Sequence, residues 1–166
     1  MKANGTKEAA LEAILRSFKQ YYDVRIDGVA VPFVAEAEFH SHNEQYLLVR
    51  AAHIADIDSH EYVFFASEAE LSVEKLGALD AAAWQAGISR VQPYNGHKNS
   101  DITLIVVAEH IAADAFNGIR RLKHYKSYRF GLYGWSSFRA LAYEATTGKA
   151  ATNRRGSDLQ KFVSSL

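Results

Sequence analysis

The stretch Asp101-Ile102-Thr103-Leu104-Ile105-Val106-Val107-Ala108 decides the fold. Six of the seven residues after Asp101 are apolar, and four of these are β-branched. A strand that is apolar on both faces is stable only when both faces are covered, as in the middle of a sheet with helices on its two sides. We therefore predict that this stretch is the central strand of one sheet and that helices pack on it.

The segments on either side predict further helices and strands. Thr6 is placed to cap a helix from Lys7 to about Tyr22, whose apolar residues share one face. Residues 31–42 alternate between apolar and polar side chains, as is typical of a half-buried strand. The other predicted elements are strands at 45–53 and 61–66, a helix capped by Ser67 or Ser72 and ending near Ala86, a helix at 111–122, a hairpin of 126–133 with 138–144, and a short helix capped by Asp158.

The resulting order, αβββαβαββ, predicts an α/β (α+β) fold. Its sheet is mixed, has five or six strands and begins with an antiparallel meander, and the helices pack against it. The chain of 166 residues is long enough for one globular domain, which we expect to span residues 1–166. Restriction-endonuclease-like nucleases share the αβββαβ order, so a distant similarity to their fold is a further expectation.

The composition favours a soluble protein. Cysteine is absent, which excludes disulfides, thiolate metal ligands and a cysteine nucleophile. Charged residues interrupt the N-terminal apolar pattern, unlike a signal peptide, and no apolar run approaches the roughly 20 residues that span a bilayer. We expect a cytoplasmic protein without a membrane partner. Glycine-rich nucleotide-binding motifs are also absent, and no cofactor is expected.

Charge is distributed unevenly along the chain. Residues 1–118 hold 9 Lys and Arg against 17 Asp and Glu, whereas residues 119–166 hold 10 against 2. A basic block of this kind is typical of a surface for phosphates or nucleic acid. The alternative is that the basic third docks on the acidic part, within one chain or across a homodimer.

Aromatic and basic residues interleave in the stretch from Lys126 to Arg139. Rings can stack on bases while cations contact phosphates, a combination suited to single-stranded nucleic acid or nucleotides. Arg154 and Arg155 add two adjacent guanidinium groups, suited to bidentate contacts with anions. The alternative is that the aromatic residues face the core. The candidate phosphate- or nucleic-acid-binding residues are Lys126, Arg129, Tyr133, Trp135, Arg139, Arg154 and Arg155.

A second candidate site is the polar face of the strand at 31–42, which carries Glu36, Glu38, His40 and His42. Two histidines at alternate strand positions can bind one divalent metal, and Glu38 could complete the site of a metal-dependent hydrolase. The alternative is an ordinary solvent-facing strand. A nuclease would use the carboxylate set Glu36, Glu38, Asp56 and Glu61, but the chain lacks the Asp-x-Lys or Glu-x-Lys of the restriction-endonuclease-like enzymes. Ser136 and Ser137 are a candidate nucleophile pair without an evident histidine partner.

Several motifs together resemble an uncharacterised family of bacterial proteins, a domain of unknown function. They are Phe39-His-Ser-His-Asn-Glu-Gln-Tyr-Leu-Leu, His60-Glu-Tyr-Val-Phe-Phe, Asp101-Ile-Thr-Leu-Ile, Lys126-Ser-Tyr-Arg-Phe with Tyr133-Gly-Trp, and Thr147-Gly-Lys with Thr152-Asn-Arg-Arg-Gly. The resemblance implies a bacterial, cytoplasmic, single-domain protein and assigns no activity. Three hypotheses therefore stand: a nucleic-acid- or phosphate-binding module, a homo-oligomeric interaction protein, and a metal-dependent hydrolase.

Overall fold

The structure, a computed structural model, describes residues 5–40, 59–95, 97 and 99–166, and of His40 the backbone alone. Its seven described strands form one mixed sheet. They are β1 (Asp23–Arg25), β2 (Ala35–His40), β3 (Ser59–Leu71), β4 (Asn99–Ile111), β5 (Tyr125–Ser127), β6 (Trp135–Glu144) and β7 (Ala150–Thr152). The predicted strand at 45–53 lies outside the described residues.

The strand order is β1-β2-β3-β4-β6-β5, and β7 also pairs with β6. The three long strands β3, β4 and β6 are parallel to one another, while the outer strands pair antiparallel. The predicted α+β class with a mixed sheet is therefore confirmed. The described part of the sheet exceeds the predicted five or six strands because β1 and β7, of three residues each, were not predicted.

The central strand lies where its sequence predicts. β4 pairs with β3 on one side and with β6 on the other, and every residue from Ile102 to Ala108 is fully buried. The four α-helices of the described ranges cover the sheet: α1 (Lys7–Phe18), α2 (Val73–Arg90), α3 (Ala113–Arg121) and α4 (Ser157–Ser164). Helices α2 and α3 pack on one face, with Ile102 and Leu104 of β4, and α1 and α4 pack on the other, with Ile105 and Val107.

Local capping explains where two helices begin. The Thr6 hydroxyl accepts a hydrogen bond from Ala9 N at 3.2 Å, as predicted for the start of α1. Ser72 caps α2 by accepting from Lys75 N at 3.1 Å. The alternative start at Ser67 is wrong, because β3 continues to Leu71. Helix α1 ends at Phe18, four residues before the predicted end.

The predicted hairpin is shorter than expected. Only Tyr125–Ser127 pairs with β6, opposite residues 135–137, and a 3-10 helix at Arg129–Gly131 replaces the rest of the first strand. Asp158 lies in the first turn of α4 rather than at its cap. Strand β7 pairs further along the same edge of β6, opposite residues 141–143. On the edge of β6 that faces away from β4, residues 138–140 lie between β5 and β7 and therefore have no strand partner among the described residues.

Candidate functional site

The side chain of Asn153 fills the interval on the edge of β6. Its Oδ1 accepts from the backbone N–H groups of Ala140 and Gly156, each at 3.0 Å. Its Nδ2 donates to the carbonyl oxygens of Phe138 and Leu122, each at 3.0 Å. Asn153 is buried, so these bonds satisfy backbone groups that would otherwise lack partners in the interior. One amide therefore joins the segment after β7 to β6 and to the segment after α3.

Glycine is required three residues later for the same reason. A Cβ at Gly156 would lie 2.8 Å from the Ala140 carbonyl oxygen and 2.9 Å from Asn153 Oδ1, too close for either atom. The intervening residues form a 3-10 helix, Arg154–Gly156, whose end Asn153 caps. The sequence Asn153-Arg-Arg-Gly156 is thus a compact turn that is held against the sheet and presents two guanidinium groups at the surface.

This turn and the segment after α3 enclose a cavity of about 780 Å³, which we name the basic cavity. Phe138 and Asn153 lie at the edge of the sheet, and the cations come from two segments about thirty residues apart in sequence. The lining residues are Arg120, Arg121, Leu122, Lys123, His124, Tyr125, Phe138, Asn153, Arg154 and Arg155. The five lysine and arginine side chains are all exposed.

The charges of the basic cavity are not compensated locally. Its described lining contains no Asp or Glu, and none of its five Lys and Arg side chains forms an ion pair with a described residue. Arg120 makes one hydrogen bond of 3.4 Å, to Asn117 Oδ1. The expectation that the basic third docks on the acidic part of the same chain is thus not met within the described ranges, where Arg139 is the sole C-terminal Lys or Arg paired with a carboxylate.

His124 forms a fixed wall of the cavity. Its Nε2 lies 2.8 Å from Asp80 Oδ1, and its ring stacks on Trp84 at a centroid distance of 4.9 Å. The ring also meets Phe138 edge-on at 5.0 Å. These contacts tie the segment between α3 and β5 to helix α2, so the shape of the cavity does not depend on a free loop.

Four of the residues predicted to bind phosphate lie further along the β5 edge rather than in the cavity. Lys126 Nζ lies 5.5 Å from the centre of the Tyr128 ring, and the Arg129 guanidinium lies 4.9 Å from the centre of the Tyr133 ring. Tyr133 and Trp135 are half-buried. Contact with an aromatic ring orients each cation. Neither cation forms an ion pair with a described carboxylate.

Arg139 does not belong to this surface, which corrects the sequence-based prediction. Neighbouring strand residues point to opposite faces, so Phe138 lines the cavity while Arg139 points toward α1 and α4. Its guanidinium is buried and donates to Glu61 Oε1 at 2.6 Å and to Asp158 Oδ2 at 2.5 Å. Burial alone would lower the pKa of Arg139, but Glu61, Asp158 and Asp101 raise that pKa above its ordinary value. Arg139 is a permanently charged member of an internal network.

The same network forms one side of a second cavity, of about 350 Å³, between the end of α1 and helix α4. Phe18, Tyr22 and Phe162 line it together with Glu61 and Arg139. Glu61 already accepts from Thr103 at 2.9 Å and from the Tyr22 hydroxyl at 2.5 Å, besides Arg139. These charges are used within the protein, so we assign this cavity no ligand.

The two glutamates of the candidate metal face form ion pairs with arginine side chains. Glu36 is 1% exposed and accepts from Ala30 N at 2.7 Å, Arg25 Nη2 at 2.5 Å and Arg90 Nη2 at 2.8 Å. Burial would raise the pKa of Glu36, but the Ala30 N–H and the two guanidinium groups outweigh burial and hold this pKa below its usual value. Glu38 pairs with Arg90 at 3.4 Å.

The carboxylates expected to act together do not converge. Glu36 pairs with Phe64 in the β2–β3 register, whereas Glu61 pairs with Phe39, so Glu36 and Glu61 lie on opposite faces of the sheet. His42 lies outside the described residues, and nothing is described of the His40 side chain. Within the described ranges, no three or more His, Asp or Glu side chains are grouped as a metal site would require.

The predicted serine pair is buried. Ser136 Oγ lies 2.8 Å from the Tyr128 hydroxyl, and Ser137 donates to Asp101 Oδ1 at 2.6 Å. A histidine–serine contact exists elsewhere: His97 Nε2 lies 2.8 Å from Ser100 Oγ, and its Nδ1 lies 2.7 Å from the Tyr133 carbonyl oxygen. Both residues are buried, which fits a structural role better than attack on a substrate.

Four residues of the site were not identified from the sequence. Arg120, Arg121 and Lys123 belong to the basic block but were not among the candidate site residues, and Asn153 had no assigned role. The available signal was the motif Thr152-Asn-Arg-Arg-Gly156, in which a buried amide and a glycine flank two exposed cations.

One family match covers nearly the whole chain. Residues 6–165 match the family described as Domain of unknown function (DUF8052). The chain belongs to this family. No curated protein matches the chain, and no solved structure does, so the expected similarity to restriction-endonuclease-like folds gains no support. Among the described residues, no helix has the length and apolar character needed to cross a membrane.

Proposed function

We propose that this DUF8052 domain binds the phosphate groups of a nucleic acid in the basic cavity. The observation that carries the proposal is the convergence of five exposed cations, none of them ion-paired with a described residue, from two segments that a single buried amide, Asn153, holds together. Arginine presents planar, paired donors that match phosphate oxygens, which makes adjacent guanidinium groups well suited to this ligand.

Electrostatics supports the same reading. Like charges that share a cavity repel one another, and a bound polyanion would relieve that repulsion. Arg120 and Arg121 lie in the last turn of α3, where the helix dipole partly compensates them. Arg154 and Arg155 have no described carboxylate partner, and they precede the N-terminus of α4, whose positive end does not compensate cations, so they are the cations most available to a ligand. A cytoplasmic location, expected from the sequence, would expose the cavity to nucleic acids and nucleotides.

Fluorescence anisotropy tests the proposal with a labelled single-stranded oligonucleotide of about 12 nucleotides, within the usual range of site sizes. The variant Arg154→Ala/Arg155→Ala removes two cations from the cavity. Its matched control is Lys19→Ala/Lys161→Ala, which changes the net charge equally at two exposed positions outside the cavity lining. At low salt, the cavity variant should bind at least about tenfold more weakly than the wild type.

The control should retain most of the wild-type affinity, because screened charges far from the ligand contribute little. Equal losses in both variants would mean that only net charge attracts the oligonucleotide. That result, or an absence of binding by the wild type at low salt, would overturn the proposed function.

A further inference from the structure

The loop that follows β5 presents an unusual surface. Residues 128–134 form a closed loop, because Tyr128 N donates to the Gly134 carbonyl at 2.9 Å and Tyr133 N donates to the Tyr128 carbonyl at 3.1 Å. Gly131 N also donates to the Tyr128 carbonyl, at 3.0 Å. The loop is therefore held by its own backbone, and its tip has a defined conformation.

Two residues at the tip have φ angles that residues other than glycine rarely adopt. The φ angle is 45° at Arg129 and 56° at Phe130, both in the left-handed region where non-glycine residues are uncommon. Phe130 is fully exposed, and Leu132 is 75% exposed. Left-handed backbone costs free energy of folding, and an exposed apolar side chain gains none from burial, so neither feature stabilises the domain.

The charge around the tip indicates the kind of partner. Lys126 and Arg129 precede Phe130 by four residues and by one, and among the described residues they form no ion pair; each is instead oriented by a tyrosine ring. A partner for this surface must therefore combine negative charge with a flat apolar group. Single-stranded nucleic acid has both, whereas the base faces of a duplex are covered by stacking.

The loop is also connected to the basic cavity. Tyr125, the first residue of β5, lines the cavity. From Tyr125 to Tyr128, where the loop begins, the chain advances by three residues, or about 10 Å at 3.3 Å per residue. The Tyr125 ring is itself 56% exposed. A strand of nucleic acid held by its phosphates in the cavity can thus follow the β5 edge past the exposed Lys126 and Arg129 to Phe130.

We propose that Phe130 is a stacking platform for an unpaired base and that the ligand of this domain is single-stranded nucleic acid whose backbone lies in the basic cavity. This inference rests on the proposed function, because the phosphates provide the attachment and the ring provides the selection of an unpaired strand. Base–aromatic stacking contributes about 1–3 kcal/mol per base, which corresponds to about 5- to 150-fold in affinity.

The test compares two labelled oligonucleotides of equal length, one with normal bases and one fully abasic. Each is titrated with the wild type, Phe130→Ala, Phe130→Trp and Leu132→Ala. Both substituted positions are exposed, so the variants should fold. Phe130→Ala should bind the normal oligonucleotide about 5- to 150-fold more weakly and the abasic one with unchanged affinity. Phe130→Trp should restore binding, and Leu132→Ala should show little loss.

Three results would overturn the inference. If Phe130→Ala weakens both oligonucleotides equally or neither, the ring does not stack on a base, although binding that still requires Arg154 and Arg155 would leave the proposed function intact. If Phe130→Ala instead abolishes binding to phosphatidylserine vesicles or dissociates a dimer in sedimentation, without affecting oligonucleotide binding, the tip serves a membrane or a second copy. If the wild type binds no oligonucleotide, the proposed function fails as well.

Discussion

Asn153 shows how one side chain can support both the fold and the site. Its amide replaces the missing strand pairing on the edge of β6 and fixes the positions of Leu122 and Gly156. Leu122 lies within the first basic segment, between Arg121 and Lys123, and Gly156 comes directly after the second, Arg154 and Arg155. The amide thus has a structural role that predicts an effect on ligand affinity as well as on stability.

We expect Asn153→Ala to lower the free energy of unfolding by about 2–4 kcal/mol, since four buried hydrogen bonds are lost and their backbone partners are left without a protein partner. Urea unfolding measures this change. Asn153→Asp keeps the acceptor but places a buried carboxylate oxygen against the Phe138 and Leu122 carbonyl oxygens, so at neutral pH it should be no more stable than Asn153→Ala. Loss of less than about 0.5 kcal/mol in the alanine variant would show that water replaces the amide.

Glu36 predicts a specific pH dependence. Its folded-state pKa lies below the ordinary value of 4.5, so the carboxylate stabilises the fold above that value. This contribution is lost as the pH falls through the lower folded-state pKa. The wild type should therefore lose more stability between about pH 6 and about pH 3 than Glu36→Gln does.

At neutral pH, Glu36→Gln should itself be less stable by about 1–3 kcal/mol, because its bonds to Arg25 and Arg90 lose their charge. Urea unfolding at a series of pH values measures both effects. Parallel pH curves for the two proteins would contradict the assigned role of Glu36.

At the scale of elements, helix α2 offers a comparison of two glycines. A Cβ at Gly87 would lie 2.6 Å from two side-chain carbons of Ile102, whereas a Cβ at Gly77 would meet nothing within 4 Å. Gly87 lies just past the predicted helix end near Ala86, but α2 continues to Arg90, and the glycine allows α2 to pack closely on β4.

Gly87→Ala should accordingly destabilise the protein by about 1–3 kcal/mol through overpacking, despite the higher helix propensity of alanine. Gly77→Ala should stabilise it by up to about 1 kcal/mol, because that position is exposed and only propensity changes. Thermal or urea unfolding of both variants distinguishes packing from propensity. Stabilisation by both substitutions would mean that α2 can move away from the sheet.

The elements that sequence could predict are those with a strong local pattern. Ile102 to Ala108 is apolar on both faces, and Thr6 and Ser72 are caps whose hydroxyls need only the next few residues. Strands β1 and β7 are too short to carry a pattern, and their pairing depends on β2 and β6. The end of β3 at Leu71 likewise depends on pairing with β4 rather than on its own residues.

The candidate site residues divide in the same way, into those that a local sequence pattern indicates and those that depend on contacts with distant segments. The doublet of Arg154 and Arg155 was visible as exposed charge, but its meeting with Lys123 depends on Asn153 reaching another segment. Arg139 could not be assigned from sequence, because its direction depends on strand parity and its partner Glu61 lies 78 residues away. Residues 42–58 include His42 and lie outside the described part, so the metal hypothesis there stays a prediction.

For the whole molecule, the separation of charge along the chain becomes a separation in space. The acidic residues Glu36 and Glu61 are used in internal networks, whereas the cations of the basic cavity remain at the surface. The homodimer alternative predicts that sedimentation of the protein alone changes with salt. The phosphate-binding account predicts that salt acts on the ligand affinity instead.

The most direct measurement is therefore the salt dependence of oligonucleotide affinity for the wild type and for Arg154→Ala/Arg155→Ala. Each phosphate contact on a single strand contributes about 0.7 to the slope of log affinity against log salt concentration. If the basic cavity binds phosphates, the slope should be steep and negative for the wild type. For the variant, its magnitude should be smaller by about 1.4. Equal slopes for the two proteins, or a wild-type affinity that does not change with salt, would contradict this prediction.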